Sequence, residues 1–321
     1  MSSAWNGITT DIYNPIKGTF IDLNGAYSVK NVETDINQIA VYLEDQFNLT
    51  DNLTFVLGLR HDTIDVDWHY FTNDTKKERT YNEFSYRLGV VYDLSDTTTL
   101  YTSYSTSIES GNSLVQMSAS QVDLDLTQAQ QYEIGLKQSF LDDKAEFSIS
   151  VYEIKKEDIF VSDPNTVGKV LNAGEQSSKG LELSLGVQPI DQLRIDANFA
   201  YVDAEYDDFI TGANDYTGNI PYSVPKYVAN LGLRYMPITT VGIGTWINYV
   251  DSSYADDANT VELPSYTTMD LTLDYTHNTN TTFSFAIKNL TDELYATTSR
   301  NNYSVFLGDS RNFEFGIKYK F

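Results

Sequence analysis

Apolar and polar side chains alternate with a period of two along most of the chain, from about residue 36 to the C-terminus. Successive side chains of a β-strand point to opposite faces, so each such stretch predicts a strand with one apolar and one polar face. The last stretch is about ten residues long, which suits a tilted strand that crosses a bilayer. Its apolar positions are Phe313, Phe315, Ile317, Tyr319 and Phe321, and its polar positions are Asn312, Glu314, Lys318 and Lys320.

The alternation predicts about thirteen strands, and the segments that connect them are short and long in strict turn. An up-and-down meander places all short turns at one end of a sheet and all long loops at the other. This difference between the ends is typical of outer-membrane barrels, which have short periplasmic turns and long extracellular loops. A soluble β-sandwich with Greek-key connections is not expected to separate short turns from long loops in this way. The segments predicted as long loops are residues 65–80, 107–128, 203–224, 251–264 and 290–310.

The predicted fold is therefore all-β, an antiparallel, up-and-down transmembrane β-barrel. Residues 36–321 are predicted to form about thirteen to fourteen strands of a larger barrel, since bacterial barrels usually have an even number of strands and cannot leave sheet edges in lipid. Residues 1–35 are weakly patterned and are predicted to be an extracellular loop or first-strand region, with a strand near residues 18–27. The first residues lack the charged and apolar regions of a signal peptide, so an exported protein would be present here in mature or partial form.

Composition and charge restrict the class of partner. The 321 residues carry a formal net charge of -24, whereas phosphate binding needs a basic surface, and we predict no nucleic-acid partner. The 24 tyrosines and 16 phenylalanines suit a membrane–water interface, where amphipathic rings are favoured. The acidity also suits a soluble β-protein with a solvated surface, and this alternative stays open.

Side chains that could carry catalysis or hold a metal are sparse. His61, His69 and His277 are far apart in the sequence and give no metal-ligand spacing. The chain has no cysteine and no G-x-S-x-G motif, which removes thiolate sites and a common hydrolase nucleophile. We predict that the protein is not an enzyme and has neither a bound metal nor a cofactor.

Aromatic side chains in the predicted loops are the candidate ligand contacts. Rigid amphipathic rings at the outer end could contact a large ligand at modest entropic cost. Rings of this kind also occur in membrane girdles and in loop packing, and that alternative applies to each of them. The candidates are Trp68, Tyr70, Tyr216, Tyr222, Tyr254 and Tyr303.

Charged side chains on the polar parity are predicted to face the barrel lumen. There the basic members could attract an anionic ligand. We expect them to pair instead with the acidic members, because a nearby opposite charge stabilises a charged side chain. The basic members are Arg87, Arg194, Arg234 and Lys288, and the acidic members are Glu133, Glu182, Asp196 and Asp274.

Short motifs in a fixed order carry a resemblance to a known family. Residues 38–46 (QIAVYLEDQ) and 55–60 (FVLGLR) resemble paired mid-barrel strands, and residues 131–137 (QYEIGLK) resemble a strand motif that follows a long loop. Further matches are residues 173–182 (AGEQSSKGLE), 220–225 (IPYSVP), 263–266 (LPSY) and 289–295 (NLTDELY), and the terminal Phe321. Together they resemble the C-terminal barrel portion of TonB-dependent outer-membrane receptors, of the ferric-siderophore type.

The resemblance implies a receptor in the outer membrane of a Gram-negative bacterium. It would bind a ferric siderophore or similar large chelate with its extracellular loops and upper lumen, for TonB-dependent uptake. The terminal aromatics Tyr319 and Phe321 resemble the signal that barrel-assembly machinery recognises, so that machinery and outer-membrane lipid are implied partners.

The resemblance also has a limit, because nothing in the sequence resembles the N-terminal plug that this family carries inside a barrel of about twenty-two strands. The plug domain is therefore predicted to be absent from this chain. The TonB energy-transducing complex is a predicted partner only if a plug is present elsewhere. A plugless structural barrel or passive pore remains the alternative function.

Overall fold

The computed structural model describes residues 32–71, 73–109, 114, 118–166, 168–301 and 304–321. The strand predicted near residues 18–27 and the candidate Tyr303 lie outside these residues. The described chain forms an antiparallel sheet of 13 strands, in which consecutive strands of the sheet are neighbours. The predicted all-β, antiparallel up-and-down fold is thus confirmed.

Strands are numbered along the chain, and most of them belong to the main sheet. Those strands are β1 (Val32–Thr50), β2 (Leu53–Tyr70), β3 (Thr75–Ser95), β4 (Thr98–Ile108), β5 (Gln128–Phe140), β6 (Ala145–Ser162), β7 (Val170–Ile190), β8 (Leu193–Asp208), β11 (Tyr227–Ile238), β12 (Val241–Val250), β15 (Tyr266–Thr276), β16 (Thr281–Lys288) and β19 (Asn312–Tyr319).

Small elements lie in the long connections. They are the hairpins β9 (Ile210–Thr211) with β10 (Asn214–Asp215), β13 (Ser253–Tyr254) with β14 (Glu262–Leu263), and β17 (Ala296–Asn301) with β18 (Ser304–Leu307), and one turn of helix, α1 (Ala119–Val122). None of the helical residues in the described ranges belongs to a helix long and apolar enough to span a membrane.

The sheet has an apolar outer face and a polar inner face over the part of each strand next to the short turns. Ile134 of β5 is 57% exposed and Phe315 of β19 is 70% exposed. Such exposure of large apolar side chains is expected where strands face lipid. Neighbouring strands keep the same parity outward, since Ile134 lies opposite Val151 and Phe315 lies opposite Phe285.

Aromatic rings contact one another on the outer face near both ends of the apolar zone. Toward the long loops, the ring centroids of Tyr104 and Tyr132 are 4.4 Å apart and those of Tyr201 and Tyr227 are 5.5 Å apart. Toward the short turns, the rings of Phe47 and Phe55 are 5.4 Å apart. Two such belts are typical of the two membrane–water interfaces.

Several charged side chains on the inner face form ion pairs with neighbouring positions. Arg194 lies 2.8 Å from Asp196 and Arg234 lies 2.8 Å from Asp274, which confirms the predicted pairing at these positions. Lys288 instead pairs with Asp270 at 3.2 Å.

The predicted pairing is wrong for three other inner-face residues. Within the described residues, Arg87, Glu133 and Glu182 form no ion pair. The Glu133 carboxylate instead accepts hydrogen bonds from the Tyr101 hydroxyl at 2.6 Å and the Gln131 amide at 3.0 Å. Sequence parity gives the face of a side chain, but it does not determine which neighbour that side chain reaches.

Glycines on the inner face make room for large rings of the next strand. A Cβ atom on Gly232 would lie 2.2 Å from the ring of Trp246, and one on Gly135 would lie 2.6 Å from the ring of Tyr101. Both distances are far below van der Waals contact, so any side chain at these positions would displace the ring. The rings therefore lie flat against the wall rather than projecting into the lumen.

Residues 65–80 do not form the predicted long loop. Strand β2 continues to Tyr70 and β3 begins at Thr75, so this segment is a paired hairpin that extends beyond the outer aromatic belt. The apolar parity also changes along β2. Leu57 and Leu59 are exposed on the outer face, whereas Ile64, Val66 and Trp68 are buried on the inner face. The physical reason is that the outer face meets water above the membrane, while the inner face packs against a loop.

The two terminal strands of the sheet are β1 and β19. Within the described residues, each pairs with one neighbour and the two do not pair with each other. Because an unpaired strand edge cannot lie in lipid, both edges need partner strands in the membrane.

Candidate ligand-binding surface at the long-loop end

One hydrophobic cluster, here the first loop cluster, fixes the connection between β4 and β5 against the inner face of β2 and β3. Its buried members are Ile64, Val66, Trp68, Tyr81, Leu114, Val122 and Leu126. Polar contacts surround it. The Tyr81 hydroxyl donates to the backbone oxygen of Val122 at 2.9 Å, and Lys77 and Arg79 pair with Asp123 and Asp125.

The first loop cluster determines where two of the predicted ligand contacts lie. Trp68 is a strand residue, 6% exposed, and belongs to the cluster itself, while Tyr70 packs against it from β2. The prediction that both lie in an outward loop is wrong, because both belong to β2. Their rings hold the loop in place, which is the loop-packing alternative considered for such residues.

A second hydrophobic cluster, the second loop cluster, lies on the extensions of β6 and β8. It contains Val161, Tyr206 and Phe209, and Tyr216 packs against it. The rings of Tyr206 and Phe209 are 4.1 Å apart, and those of Phe209 and Tyr216 are 6.5 Å apart. Tyr216 is therefore half-buried at the edge of a packed loop base.

Hydrogen bonds join the connection between β8 and β11 to the connection between β12 and β15. The Tyr206 hydroxyl donates to Asp257 at 2.6 Å, and the Asn219 amide donates to the backbone oxygen of Asp257 at 2.8 Å. Burial, and then the bond to the Asp257 carboxylate, raise the pKa of Tyr206 far above its ordinary value. The hydroxyl thus stays protonated, as a donor, at any physiological pH.

Two more predicted contacts, Tyr222 and Tyr254, lie in these joined connections. The backbone N–H of Ser223, the residue after Tyr222, donates to the backbone oxygen of Tyr254 at 2.7 Å. Tyr222 is 48% exposed, and Tyr254 lines a cavity of about 180 Å³ between the two connections. The structure therefore brings Tyr216, Tyr222 and Tyr254 into one region and leaves Trp68 and Tyr70 in another.

The third long connection, between β16 and β19, also contacts this region. The hydroxyls of Ser223 and Thr298 are 3.0 Å apart, and the rings of Tyr266 and Tyr295 are 4.4 Å apart.

The predicted assembly signal lies at the other end of the sheet, where the short turns are. There Tyr319 ends β19 on the outer face and its ring is 5.2 Å from that of Phe321.

A second cavity, of about 320 Å³, lies on the inner face of the sheet at mid-height. It is lined by Tyr101, Glu133, Ser150, Glu182 and Asn198, among others. Its two carboxylates have no cationic partner among the described residues. Sequence reasoning did not single it out, although the inward parity of Glu133 and Glu182 was the available signal.

Metal-binding groups do not add to these sites. In the part of the chain that the structure describes, no group of three or more histidine or carboxylate side chains is arranged to hold a metal ion. The joined connections present aromatic and polar side chains, among them the exposed Tyr222.

An up-and-down sheet with an apolar outer face, two aromatic belts, a polar inner face and packed loops at one end defines an outer-membrane receptor barrel. The chain belongs to the family described as TonB dependent receptor-like, beta-barrel, which matches residues 2–290. It is thus a protein of the outer membrane.

Curated relatives share this assignment along nearly the whole chain. The probable TonB-dependent siderophore receptor PiuA of Acinetobacter baumannii is 26% identical over 100% of this chain and 45% of its own length. The ferrichrome outer membrane transporter/phage receptor of Escherichia coli is 29% identical over 96% of this chain and 42% of its own length. The ferrioxamine receptor of Yersinia enterocolitica is 30% identical over 80% of this chain and 34% of its own length. The chain spans less than half the length of these relatives.

Solved structures support the fold. The crystal structure of PiuA from Acinetobacter baumannii superposes with a TM-score of 0.81 at 25% identity, covering 90% of this chain and 44% of that one. The ferric-catecholate import receptor Fiu of Escherichia coli gives a TM-score of 0.76 at 18% identity, covering 97% and 48%. The second likeness concerns the fold alone.

Proposed function

We propose that this chain is the loop-bearing barrel part of a receptor for TonB-dependent uptake, and that it binds a ferric siderophore or similar large chelate. The relatives named above support the general role. The observation that carries the assignment to a surface is the meeting of Tyr216, Tyr222 and Tyr254 in connections held together by hydrogen bonds. A surface that is ordered before binding loses little entropy when a ligand docks.

Charge at these connections favours one class of chelate. Neither residues 203–224 nor residues 251–264 contain a lysine or arginine. The nearest following cation, Lys226, lines the cavity beside Tyr254, 5.6 Å from the centroid of the Tyr201 ring, and is outnumbered there by the nine carboxylates of the two segments. Like charges across an interface oppose binding, so we propose a neutral or cationic chelate rather than a polyanionic one. The carboxylates are Asp203, Glu205, Asp207, Asp208 and Asp215 in the first segment, and Asp251, Asp256, Asp257 and Glu262 in the second.

Further partners follow from the faces of the sheet. We propose outer-membrane lipid as the partner of the outer face, and barrel-assembly machinery as the partner that recognises Tyr319 and Phe321. If a plug is present elsewhere, Glu133 and Glu182 of the inner cavity, which form no ion pair among the described residues, would stabilise its basic side chains, and the TonB complex would act through that plug. The sites support binding and transport, and we propose no enzymatic role.

Binding of radio-iron-loaded ferrioxamine B to cells that express the protein tests this proposal. We expect saturable binding, and a loss of affinity of about tenfold or more for Tyr222→Ala and Tyr254→Ala, as for buried aromatic contacts in other interfaces. Tyr275→Ala is the control, because Tyr275 lies on the outer face near the short turns and is 45% exposed. Equal affinity of all variants would refute the assigned surface. Ion conductance in planar bilayers without any chelate binding would favour the passive pore.

A further inference from the structure

Asn259 forms an unusual link between the two joined connections. Its side-chain oxygen accepts the backbone N–H of Ile220 at 2.9 Å, and its side-chain nitrogen donates to the backbone oxygen of the same residue at 2.8 Å. One amide thus satisfies both backbone groups of a residue in another loop. In an antiparallel sheet, a hydrogen-bonded partner residue pairs with the backbone N–H and the backbone oxygen of one residue in the same way.

The backbone of Asn259 suits this task. Its φ is 54°, in the left-handed region that asparagine enters more readily than most residues. Two hydrogen bonds to Asp256 hold the turn that contains Asn259. The Asn259 backbone N–H donates to the backbone oxygen of Asp256 at 3.1 Å, and the Thr260 backbone N–H donates to the Asp256 carboxylate at 2.9 Å. The amide is therefore presented from an ordered turn.

We propose that Asn259 is a positioning residue that couples the connection between β8 and β11 to the connection between β12 and β15. Ile220 lies two positions before Tyr222, and Ser223 is bonded to the backbone of Tyr254. Holding Ile220 therefore fixes Tyr222 relative to Tyr254. The coupling is a property of the free protein, whereas its consequence for a ligand rests on the proposed function.

Asn259→Gly is the variant that separates the link from the turn. Glycine accepts a positive φ without strain, so the backbone of the turn is kept while both bonds to Ile220 are lost. The variant also removes a long bond, of 3.4 Å, from the Asn259 side-chain nitrogen to the backbone oxygen of Asp256. Asp142→Gly is the matched control, because Asp142 is also a left-handed residue, with φ 52°, but lies in the short turn between β5 and β6. Adding Tyr206→Phe to Asn259→Gly removes the parallel bond to Asp257 and keeps the stacked ring.

Hydrogen–deuterium exchange of the unliganded protein in detergent or lipid measures the coupling. We expect Asn259→Gly to accelerate amide exchange in residues 216–226 and 251–263 together. An acceleration of about 5- to 30-fold corresponds to the loss of one or two ordinary hydrogen bonds. The double variant should accelerate both segments further. Peptides of β11 and β12, and all peptides of Asp142→Gly outside its own turn, should exchange as in the parent protein.

The outcomes decide the coupling and its use separately. Acceleration confined to residues 251–263, or none in either segment for the double variant, would overturn the coupling. Acceleration of both segments with unchanged affinity for ferric ferrioxamine B would overturn the positioning of Tyr222 and Tyr254. If the parent protein binds no ferric chelate, the proposed function fails, and the exchange data still decide whether Asn259 couples the loops.

Discussion

A single lysine placed on the outer face tests the assignment of the two faces of the sheet. Ile134 lies on β5 between β4 and β6, and is 57% exposed. From Phe140 at the end of the strand, the chain rises by about 20 Å to Ile134. At a tilt of about 40° this is about 15 Å along the membrane normal, near the middle of an apolar band about 25 Å tall. Ile134→Lys should therefore lower the free energy of unfolding by about 2–4 kcal/mol, which is about 30- to 900-fold in the folding equilibrium.

Urea unfolding in lipid vesicles, followed by tryptophan fluorescence, measures this loss. Ser184→Lys is the matched control, because Ser184 lies on the inner face, opposite Ser148 and Asn198, and lines the inner cavity. We expect the control to change the free energy of unfolding by no more than about 0.5 kcal/mol. Equal losses for the two variants, or a larger loss for Ser184→Lys, would refute the assignment of faces.

Three further predictions concern single positions. Phe315→Lys should block membrane assembly, assayed by heat-modifiable gel mobility, while Lys318→Gln should assemble normally; equal assembly would contradict the faces of β19. Gly232→Ala should lower the free energy of unfolding in urea by about 1–3 kcal/mol, because its Cβ would meet the Trp246 ring at 2.2 Å; no loss would contradict that packing. Asp143→Gly should raise the free energy of unfolding by about 0.5–1 kcal/mol, because the φ of Asp143 is 62°; a lower free energy of unfolding would contradict the left-handed conformation at this position.

Most of the main sheet could be predicted because the two-residue period is a local property of the chain. Within the membrane one face of each strand meets lipid and the other does not, so the alternation is strong. Above the membrane the rule changes. In β2 the apolar positions pass from Leu57 and Leu59 to Ile64, Val66 and Trp68, and this change of phase was interpreted as a loop. The signal for a continuing strand was present, with its apolar face reversed.

The candidate surface could be predicted only in part. Tyr216, Tyr222 and Tyr254 could be placed in long connections because the position of the loops followed from their length, while their contact with a ligand stays a prediction. Their joining could not be predicted, because Asn259 and Ile220 lie in separate loops and no periodic pattern relates them. The placement of Trp68 in a loop is wrong because the alternation of Ile64, Val66 and Trp68 has the parity opposite to that of Leu57 and Leu59, and a strand with a reversed apolar face was not considered.

We propose that the joined extracellular connections bind a ferric siderophore of neutral or positive charge. An equilibrium titration of the purified protein with three iron-loaded chelates tests it most directly: cationic ferrioxamine B, neutral ferrichrome and an anionic tris-catecholate. We predict saturable quenching of protein fluorescence, with either of the first two binding at least about tenfold more tightly than the anionic chelate. Equal or tighter binding of the anionic chelate would contradict the charge assignment, and no binding of any of the three would contradict the account.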